Sequence, residues 1–477
     1  MWSSLPSFVA VYPETILVVV ASAFVLLDRV IRNKDVFTWA TLVTVGVTLV
    51  VVLATAGTGF GDAYAADQYG LFFKAIFLLV LFLATLISPG YGRVVGIHFG
   101  EYYGLMLYAA AGMMLMASAK DLILLYLGLE VMSLSVYVLV GLIYKDIRSL
   151  EGAMKYFLLG SFASAFLLLA ITYIYGLTSS VKIETISHYI VEHGLLTNKA
   201  LLFAIALFVV AFGFKVALVP FHMWAPDAYE GAPTSITAFM SVGPKAAGFA
   251  AMGRVFLIAL GAAKLGWEHF FIPLAIVTLF VGTALTVVQT NIKRMLAYSS
   301  VAHAGYAMLG IIAGTKEGMA ATMMYLFIYA FMNIGAFGVI ILLRRKDFLG
   351  ESIFDFQGLS KTHPTAALLM LLFMFSLAGI PPTAGFIGKF FVFRAAFEAG
   401  HPLLVICAVL ASCIAAYPYL RVVMLMYMKP PEQEVTLNLT GYLFVSLAIS
   451  LAGVLVFGVW PGPLIDFARS CCAGFLP

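Results

Sequence analysis

The sequence predicts an all-α, polytopic membrane protein, and three observations carry that prediction. Hydrophobic residues make up 63% of the 477 residues and charged residues only 10%, against about a quarter charged in soluble proteins. Apolar runs of about 20 residues, the length that spans a hydrocarbon core, recur along the whole chain with short connections between them. Ionisable side chains stand inside those runs, where each charge costs roughly 2.5–3.5 kcal/mol on insertion scales. A soluble chain this apolar could not cover its own surface, which excludes soluble enzymes, nucleic-acid binders and disordered proteins. The formal charge of +4 is small and scattered, so no nucleic-acid partner is expected.

About fourteen transmembrane helices are expected, near residues 6–27, 37–57, 68–88, 104–119, 121–144, 153–178, 200–222, 234–262, 270–290, 295–314, 318–343, 365–399, 402–428 and 440–462. The fourth is short, and helices 7 and 12 are expected to be broken by Pro and Gly. The longest polar stretch, Arg344 to Pro364, leaves no room for a soluble domain. Loops after odd-numbered spans hold fourteen lysines and arginines, among them Arg29, Lys145, Arg345 and Lys346. Loops after even-numbered spans hold five: Lys120, Lys182, Lys199, Lys264 and Lys316. The positive-inside rule then places the odd loops in the cytoplasm and both termini outside. Arg29, the first basic residue, follows the first apolar run rather than preceding it, which argues against a cleaved signal peptide.

The four cysteines suggest no redox centre. Cys407 and Cys413 lie in an apolar run, and Cys471 and Cys472 are adjacent. No CxxC pair, haem-attachment motif or iron–sulfur spacing is present, and no nucleotide-binding glycine fingerprint stands between a strand and a helix. The chain is expected to hold no cofactor or metal, and to draw its energy from a partner or an ion gradient.

Seven basic residues fall within or at the ends of the spans. Lys74, Arg254, Arg394 and Arg421 could reach an interface or pair structurally. Lys215, Lys245 and Lys389 stand beside helix breakers. Pro220 cannot donate to the carbonyl of Val216, so the helix opens just after Lys215. Gly379, Pro381, Pro382, Gly385 and Gly388 crowd the turns before Lys389, and Pro244 precedes Lys245 and frees the carbonyl of Met240. Unpaired backbone at membrane depth survives only inside protein or beside water, so the three lysines are expected on one hydrated path. Kinked helices with snorkelling lysines are the bland alternative.

A repeat is visible in the spacing. Glu130 and His303 each follow a flanking lysine by ten residues and are 173 apart, while Lys215 and Lys389 are 174 apart. One period covers five helices, an odd number, so the second copy is expected upside down. Inverted repeats with broken helices near the midplane are ion-transporter architecture. The residue types fit a proton relay. A lysine in a dry setting loses affinity for its proton and a nearby carboxylate restores it, so Glu130 and Lys215 would form a switch if their helices meet. His222 and His303 can pass protons near neutral pH, although a membrane histidine is as often a hydrogen-bonded structural group. Asp227 and Glu230 could help admit protons from the cytoplasm.

The segments FKVALVPFHMWAPDAYEGAPTSITAFMS, KRMLAYSSVAHAGY and GIPPTAGFIGKF resemble the antiporter-type membrane subunits of respiratory complex I, the proton-pumping NADH:quinone oxidoreductase. PFHMWAPDAYEGAP and LEGAMKYFLLGSFASAFLL look most like the N-type branch of that family, which is also similar to Mrp-type cation/proton antiporter and membrane-bound hydrogenase subunits. The resemblance covers nearly the whole chain. It implies helices 1–3 in residues 1–103, a five-helix repeat in 104–262, its inverted copy in 263–428, and a last helix and tail in 429–477. It also implies that Glu130 and Lys215 are the switch pair, that Lys245 is the central relay, and that Lys389 lies on the outward half-channel, with His303 between. FMN, iron–sulfur clusters and quinone would belong to partner subunits. The expected partners are other membrane subunits and, through them, a peripheral arm, together with the lipids of a bacterial inner membrane; no NADH would bind this chain. The competing readings are an Mrp-type antiporter subunit driven by the gradient, a purely structural subunit, and a relative fed by ferredoxin.

Overall fold

A computed structural model describes residues 8–59, 62–345, 348–431 and 437–475, so Lys346 and the first two residues of the first expected span lie outside the described residues. The helices are α1 Tyr12–Leu27, α2 Asp35–Ala54, α3 Gln68–Val95, α4 Gly100–Ser118, α5 Leu122–Val140, α6 Ile147–Thr178, α7 Ile183–Glu192, α8 Lys199–Val216, α9 Trp224–Gly231 and α10 Thr234–Met252. They continue with α11 Lys264–Val288, α12 Ile292–Ala313, α13 Lys316–Leu343, α14 Leu359–Thr362, α15 Pro364–Ala378, α16 Ala384–Glu398, α17 Pro402–Met428, α18 Gly441–Val459 and α19 Gly462–Ala473. A small antiparallel hairpin, β1 (Gly57–Gly59) and β2 (Tyr64–Ala66), pairs Gly57 with Ala66 before α3.

Among the described residues, twelve helices are long and apolar enough to cross a membrane. Two of the expected spans are not among them. The fourth is α4, 19 residues long but diluted by Glu101, three tyrosines and three glycines. The twelfth is divided into α15 and α16, of 15 residues each. The amphipathic α7 buries Ile183, Ile186 and Ile190, an i, i+3, i+7 stripe that suits a helix lying against the bundle.

Burial ranks the helices. In α10, α12 and α13, 94% of the most apolar stretch is buried, against 39% in α1, α2 and α6. The three form the centre, and the others surround them with apolar outer faces such as Met154, Leu158 and Phe162 on α6. Close approach of α8 to α10 depends on Gly248, where a Cβ would stand 2.7 Å from Val216 Cγ1.

Two helices break as the prolines predict. α8 ends at Ala217 and α15 at Gly379, both left-handed (φ 61° and 85°). In each, the next amide reaches back five residues, Leu218 to the carbonyl of Gly213 and Ile380 to that of Phe375, which closes the helix end. Pro220 and Pro382 each stand three residues beyond the left-handed residue. The freed backbone finds side chains. The Val219 amide donates to Thr278 Oγ1 at 3.0 Å and the Gly385 amide to Ser376 Oγ at 3.1 Å. Pro244 behaves differently from the expectation, because α10 runs through it unbroken to Met252 and only then loosens into a π-helix at Gly253–Ala259.

A second correspondence lies at the starts of α5 and α12. Asp121 caps α5 by accepting from the amides of Ile123 and Leu124, and Asn291 caps α12 by accepting from those of Lys293 and Arg294. Each cap residue forms a β-bridge with a loop residue, Asp121 with Lys182 and Asn291 with Ser352. Both members of the second bridge lie 170 residues beyond those of the first, 121 to 291 and 182 to 352. In this register Glu130 corresponds to Ser300, and His303 to Ser133. The spacing of the charges therefore misaligned the halves by three residues, close to one helical turn, which keeps a side chain on nearly the same face. Lys215 and Lys389 do not correspond either, since Lys215 precedes its break by two residues and Lys389 follows its break by ten.

Candidate proton-conducting site

The three lysines are buried, with 3–4% of their surface exposed. Lys215, in the last turn of α8, donates to Ser133 Oγ at 2.9 Å and to the Tyr137 hydroxyl at 3.5 Å. Lys245, in the middle of α10, donates to Ser300 Oγ at 2.7 Å and to the Ser300 carbonyl at 2.8 Å. Lys389, in α16, reaches back across the break to the carbonyls of Leu377 and Ala378 (3.2 and 2.8 Å) and to Ser412 Oγ at 3.0 Å. Those carbonyls end α15, where an ammonium meets both orphaned acceptors and the negative end of the helix dipole.

Glu130 and Lys215 do not form the direct pair expected from the sequence, since no ion pair within 4 Å joins them. Ser133, one turn along α5 from Glu130, takes the ammonium instead, and Glu130 Oε1 is buried with no hydrogen-bond partner. Gly248, one turn from Lys245, packs against Lys215 Cβ, so Lys215 and Lys245 sit on facing surfaces of α8 and α10. His303 is enclosed on α12, its Nδ1 2.6 Å from the Tyr325 hydroxyl and its Nε2 3.3 Å from that of Tyr419. The site thus gathers Lys215, Lys245, His303 and Lys389 around the buried centre of the bundle.

His222, Asp227 and Glu230 lie at one end of this centre. His222 is buried in the turn between α8 and α9 with Nδ1 unpartnered. Asp227 and Glu230 are not free carboxylates. Arg294 bonds both, at 2.9 and 2.6 Å, and Lys155 bonds Asp227 at 2.7 Å. Burial pushes the Asp227 carboxyl up, but the hydrogen bonds and charges of Lys155 and Arg294 outweigh it and hold it below the ordinary aspartate value of 3.8. Stacking of Tyr156 on Trp224 (4.1 Å) and a 3.0 Å bond from the Trp224 indole to the Phe214 carbonyl fix α9 beside the break.

The remaining charges fall into structural roles. Lys74 forms a 2.9 Å ion pair with Glu14, both 3% exposed, and the Tyr64 hydroxyl donates to Glu14 at 2.8 Å. Arg254 forks onto Asp67 and the Ala117 carbonyl, Arg394 pairs with Glu398 at the surface, and Arg421 donates to the Val287 carbonyl. The Lys74–Glu14 pair was invisible in the sequence because its partners are 60 residues apart, with Glu14 two residues into α1. Among the described residues, no group of three His, Cys, Asp or Glu side chains is placed to hold a metal ion.

Residues 119–415 match the family described as NADH:quinone oxidoreductase/Mrp antiporter, transmembrane. NADH-quinone oxidoreductase subunit N of Trichlorobacter lovleyi is 44% identical over 465 residues, covering 96% of each chain. A chain of respiratory complex I from Thermus thermophilus superposes with a TM-score of 0.80 at 32% identity, covering 95% of this chain and 98% of its own. A chain of the Mrp complex from Dietzia sp. shares the fold at a TM-score of 0.80 and 20% identity, over 98% of this chain and 97% of its own. With the family match spanning more than half its length, the chain belongs to the NADH:quinone oxidoreductase/Mrp antiporter family of transmembrane proteins.

Proposed function

We propose that the chain is the proton-translocating membrane subunit of an NADH:quinone oxidoreductase, passing protons from the cytoplasm to the outside along Glu130, Lys215, Lys245, His303 and Lys389. One observation carries the reading: no carboxylate lies within 4 Å of Lys215, Lys245 or Lys389. Each buried ammonium ends on hydroxyls or carbonyls, which solvate a charge without neutralising it. Lys74, by contrast, is matched to Glu14, and Lys293 has Glu351 at 3.6 Å. A lysine held in a dry interior without a counterion is poised to give up its proton, whereas a paired one is not. Approach or withdrawal of the Glu130 charge, one turn from Ser133, would then set the proton affinity of Lys215. The clamp of Asp227 and Glu230 on Arg294 would hold the uptake end beside His222.

In this reading the chain crosses the membrane fourteen times, α15 and α16 together counting as one crossing and α4 as another. Residues 104–262 and 263–428 are inverted repeats, supported by the paired bridges and the paired breaks, between a three-helix unit in 1–103 and the final helix and tail in 429–477. Both termini face outward from a bacterial inner membrane. Quinone reduction in partner subunits, which would hold FMN and iron–sulfur clusters, supplies the energy through other membrane subunits. The test is to compare NADH-driven proton uptake by inverted membrane vesicles with proton flux driven by an imposed sodium gradient in the absence of NADH. NADH-dependent uptake that ignores sodium is the expected result; sodium-driven exchange without NADH would favour an Mrp-type antiporter.

A further inference from the structure

The relay named above leaves a space between Lys245 and Lys389 that the histidine alone does not span, and three hydroxyls occupy it. Ser299 Oγ lies 2.5 Å from the Tyr419 hydroxyl, which lies 3.3 Å from His303 Nε2, and His303 Nδ1 lies 2.6 Å from the Tyr325 hydroxyl. The four side chains come from α12, α13 and α17, and each is 3% exposed or less. The chain begins one residue from Ser300, where Lys245 ends. At the other end the Tyr325 ring packs against Gly388, the neighbour of Lys389. The charges that bear on the His303 imidazole are those of Lys389 and Lys245.

The hydrogen-bond chemistry of this row is restrictive. A neutral imidazole donates from one nitrogen and accepts at the other, and a hydroxyl has a single proton to donate. The row therefore has two self-consistent arrangements. In one, Ser299 donates to Tyr419, Tyr419 to Nε2, and Nδ1–H to Tyr325. In the other, every bond runs the opposite way and the proton of the imidazole is on Nε2. We propose that Tyr419 and Tyr325, with Ser299, form the conducting row through His303, so that the passage of one proton switches the row from the first arrangement to the second.

The step balances. A proton arriving on Ser299 Oγ displaces the serine proton onto the Tyr419 oxygen, and the tyrosine proton moves to Nε2. The Nδ1 proton passes to the Tyr325 oxygen, whose own proton leaves toward Lys389. One proton enters and one leaves, only O–H and N–H bonds are made or broken, and the imidazole is left as the Nε2–H tautomer. Rotation of the hydroxyls and return of the tautomer reset the row. The tyrosines are invisible to a search for charges, because they carry none.

This inference rests on the proposed proton-translocating function, and its experiment separates the two. The whole complex, at matched amounts of assembled enzyme, is compared in inverted vesicles for protons moved per NADH oxidised. The variants are Tyr419→Phe, Tyr325→Phe, Lys245→Ala and Tyr102→Phe. Tyr102 is the control, a buried tyrosine on α4 whose hydroxyl bonds Ser88 and Ser235 away from the relay. Tyr419→Phe and Tyr325→Phe should each lower the ratio several-fold, as Lys245→Ala does, while Tyr102→Phe leaves it unchanged. Fluorotyrosine at position 419, equal in shape but more acidic, should shift the pH profile of pumping, which a merely space-filling ring would not. A normal ratio and an unshifted profile in the position-419 variants, beside a low ratio in Lys245→Ala, would overturn the conducting row alone. A normal ratio in Lys245→Ala would overturn the function on which it rests.

Discussion

Lys389 donates a 2.8 Å hydrogen bond to the carbonyl of Ala378, reaching from the second half of a divided helix back to the end of the first. This single bond joins the cost of breaking a helix in a membrane to the placement of a proton carrier. The break exposes carbonyls that need a donor, and the donor they receive is an ionisable one.

The same bond separates an electrostatic role from a proton-carrying one. Arginine at 389 would keep the charge and the donors but cannot release a proton in a protein. Lys389→Arg should assemble normally and lower NADH-driven proton movement roughly tenfold, equivalent to about 1.4 kcal/mol in barrier height. Assembly is read by native electrophoresis and pumping by a pH-sensitive dye. Lys389→Met should lose both, because the two carbonyls are left without their donor.

Lys215 leans on Ser133 rather than on Glu130, and that ranks three variants. Lys215→Ala should abolish coupled proton movement with the complex still assembled. Glu130→Gln should weaken it strongly by removing the charge that sets the lysine's affinity. Ser133→Ala should be intermediate, since the hydrogen bond it removes is worth about 1 kcal/mol. A Ser133→Ala variant as inactive as Lys215→Ala would show that the serine, not the carboxylate, controls the lysine.

The Glu14–Lys74 pair is expected to matter for stability and not for transport. Removing one partner of a buried pair costs about 3–5 kcal/mol because the other charge is stranded. Lys74→Met should lower the melting temperature of the detergent-solubilised complex, and Glu14→Gln combined with Lys74→Met should recover most of the loss. Pumping per assembled complex should stay near wild type in the double variant.

Asp227 supplies a pH dependence whose sign is fixed. Its carboxyl is held below 3.8 in the folded chain, so the clamp on Arg294 and Lys155 stabilises at every pH above that value and fades only as pH falls through the depressed one. The melting-temperature difference between wild type and Asp227→Asn should therefore be constant from about pH 5 to 8 and narrow only below about pH 4. A difference that disappears near neutrality would mean that Asp227 titrates there and takes part in uptake directly.

The positions of these residues were unequally legible in the sequence. Apolar run length located helices throughout, and Pro220 with the Gly379–Pro382 cluster located both true breaks, because proline removes a donor whatever surrounds it. Pro244 misled, since the densely packed centre around α10 carries the helix past one missing hydrogen bond. The charge intervals revealed a repeat but set its register by three residues too many; the bridges at Asp121 and Asn291 show the offset, and they are backbone features with no signature of residue type. Lys215, Lys245 and Lys389 were visible as charges in apolar runs. Their partners Ser133, Ser300 and Ser412 were not, because a serine in a membrane helix is ordinary until the fold shows what it faces.

The most direct test of the central claim is NADH-driven acidification of inverted vesicles, comparing wild type with Lys215→Ala at equal amounts of assembled complex. A large fall in acidification with assembly intact is the result expected of a buried, unpaired lysine that carries protons. Undiminished acidification would contradict the account and leave the chain as scaffold or as an antiporter driven by the gradient.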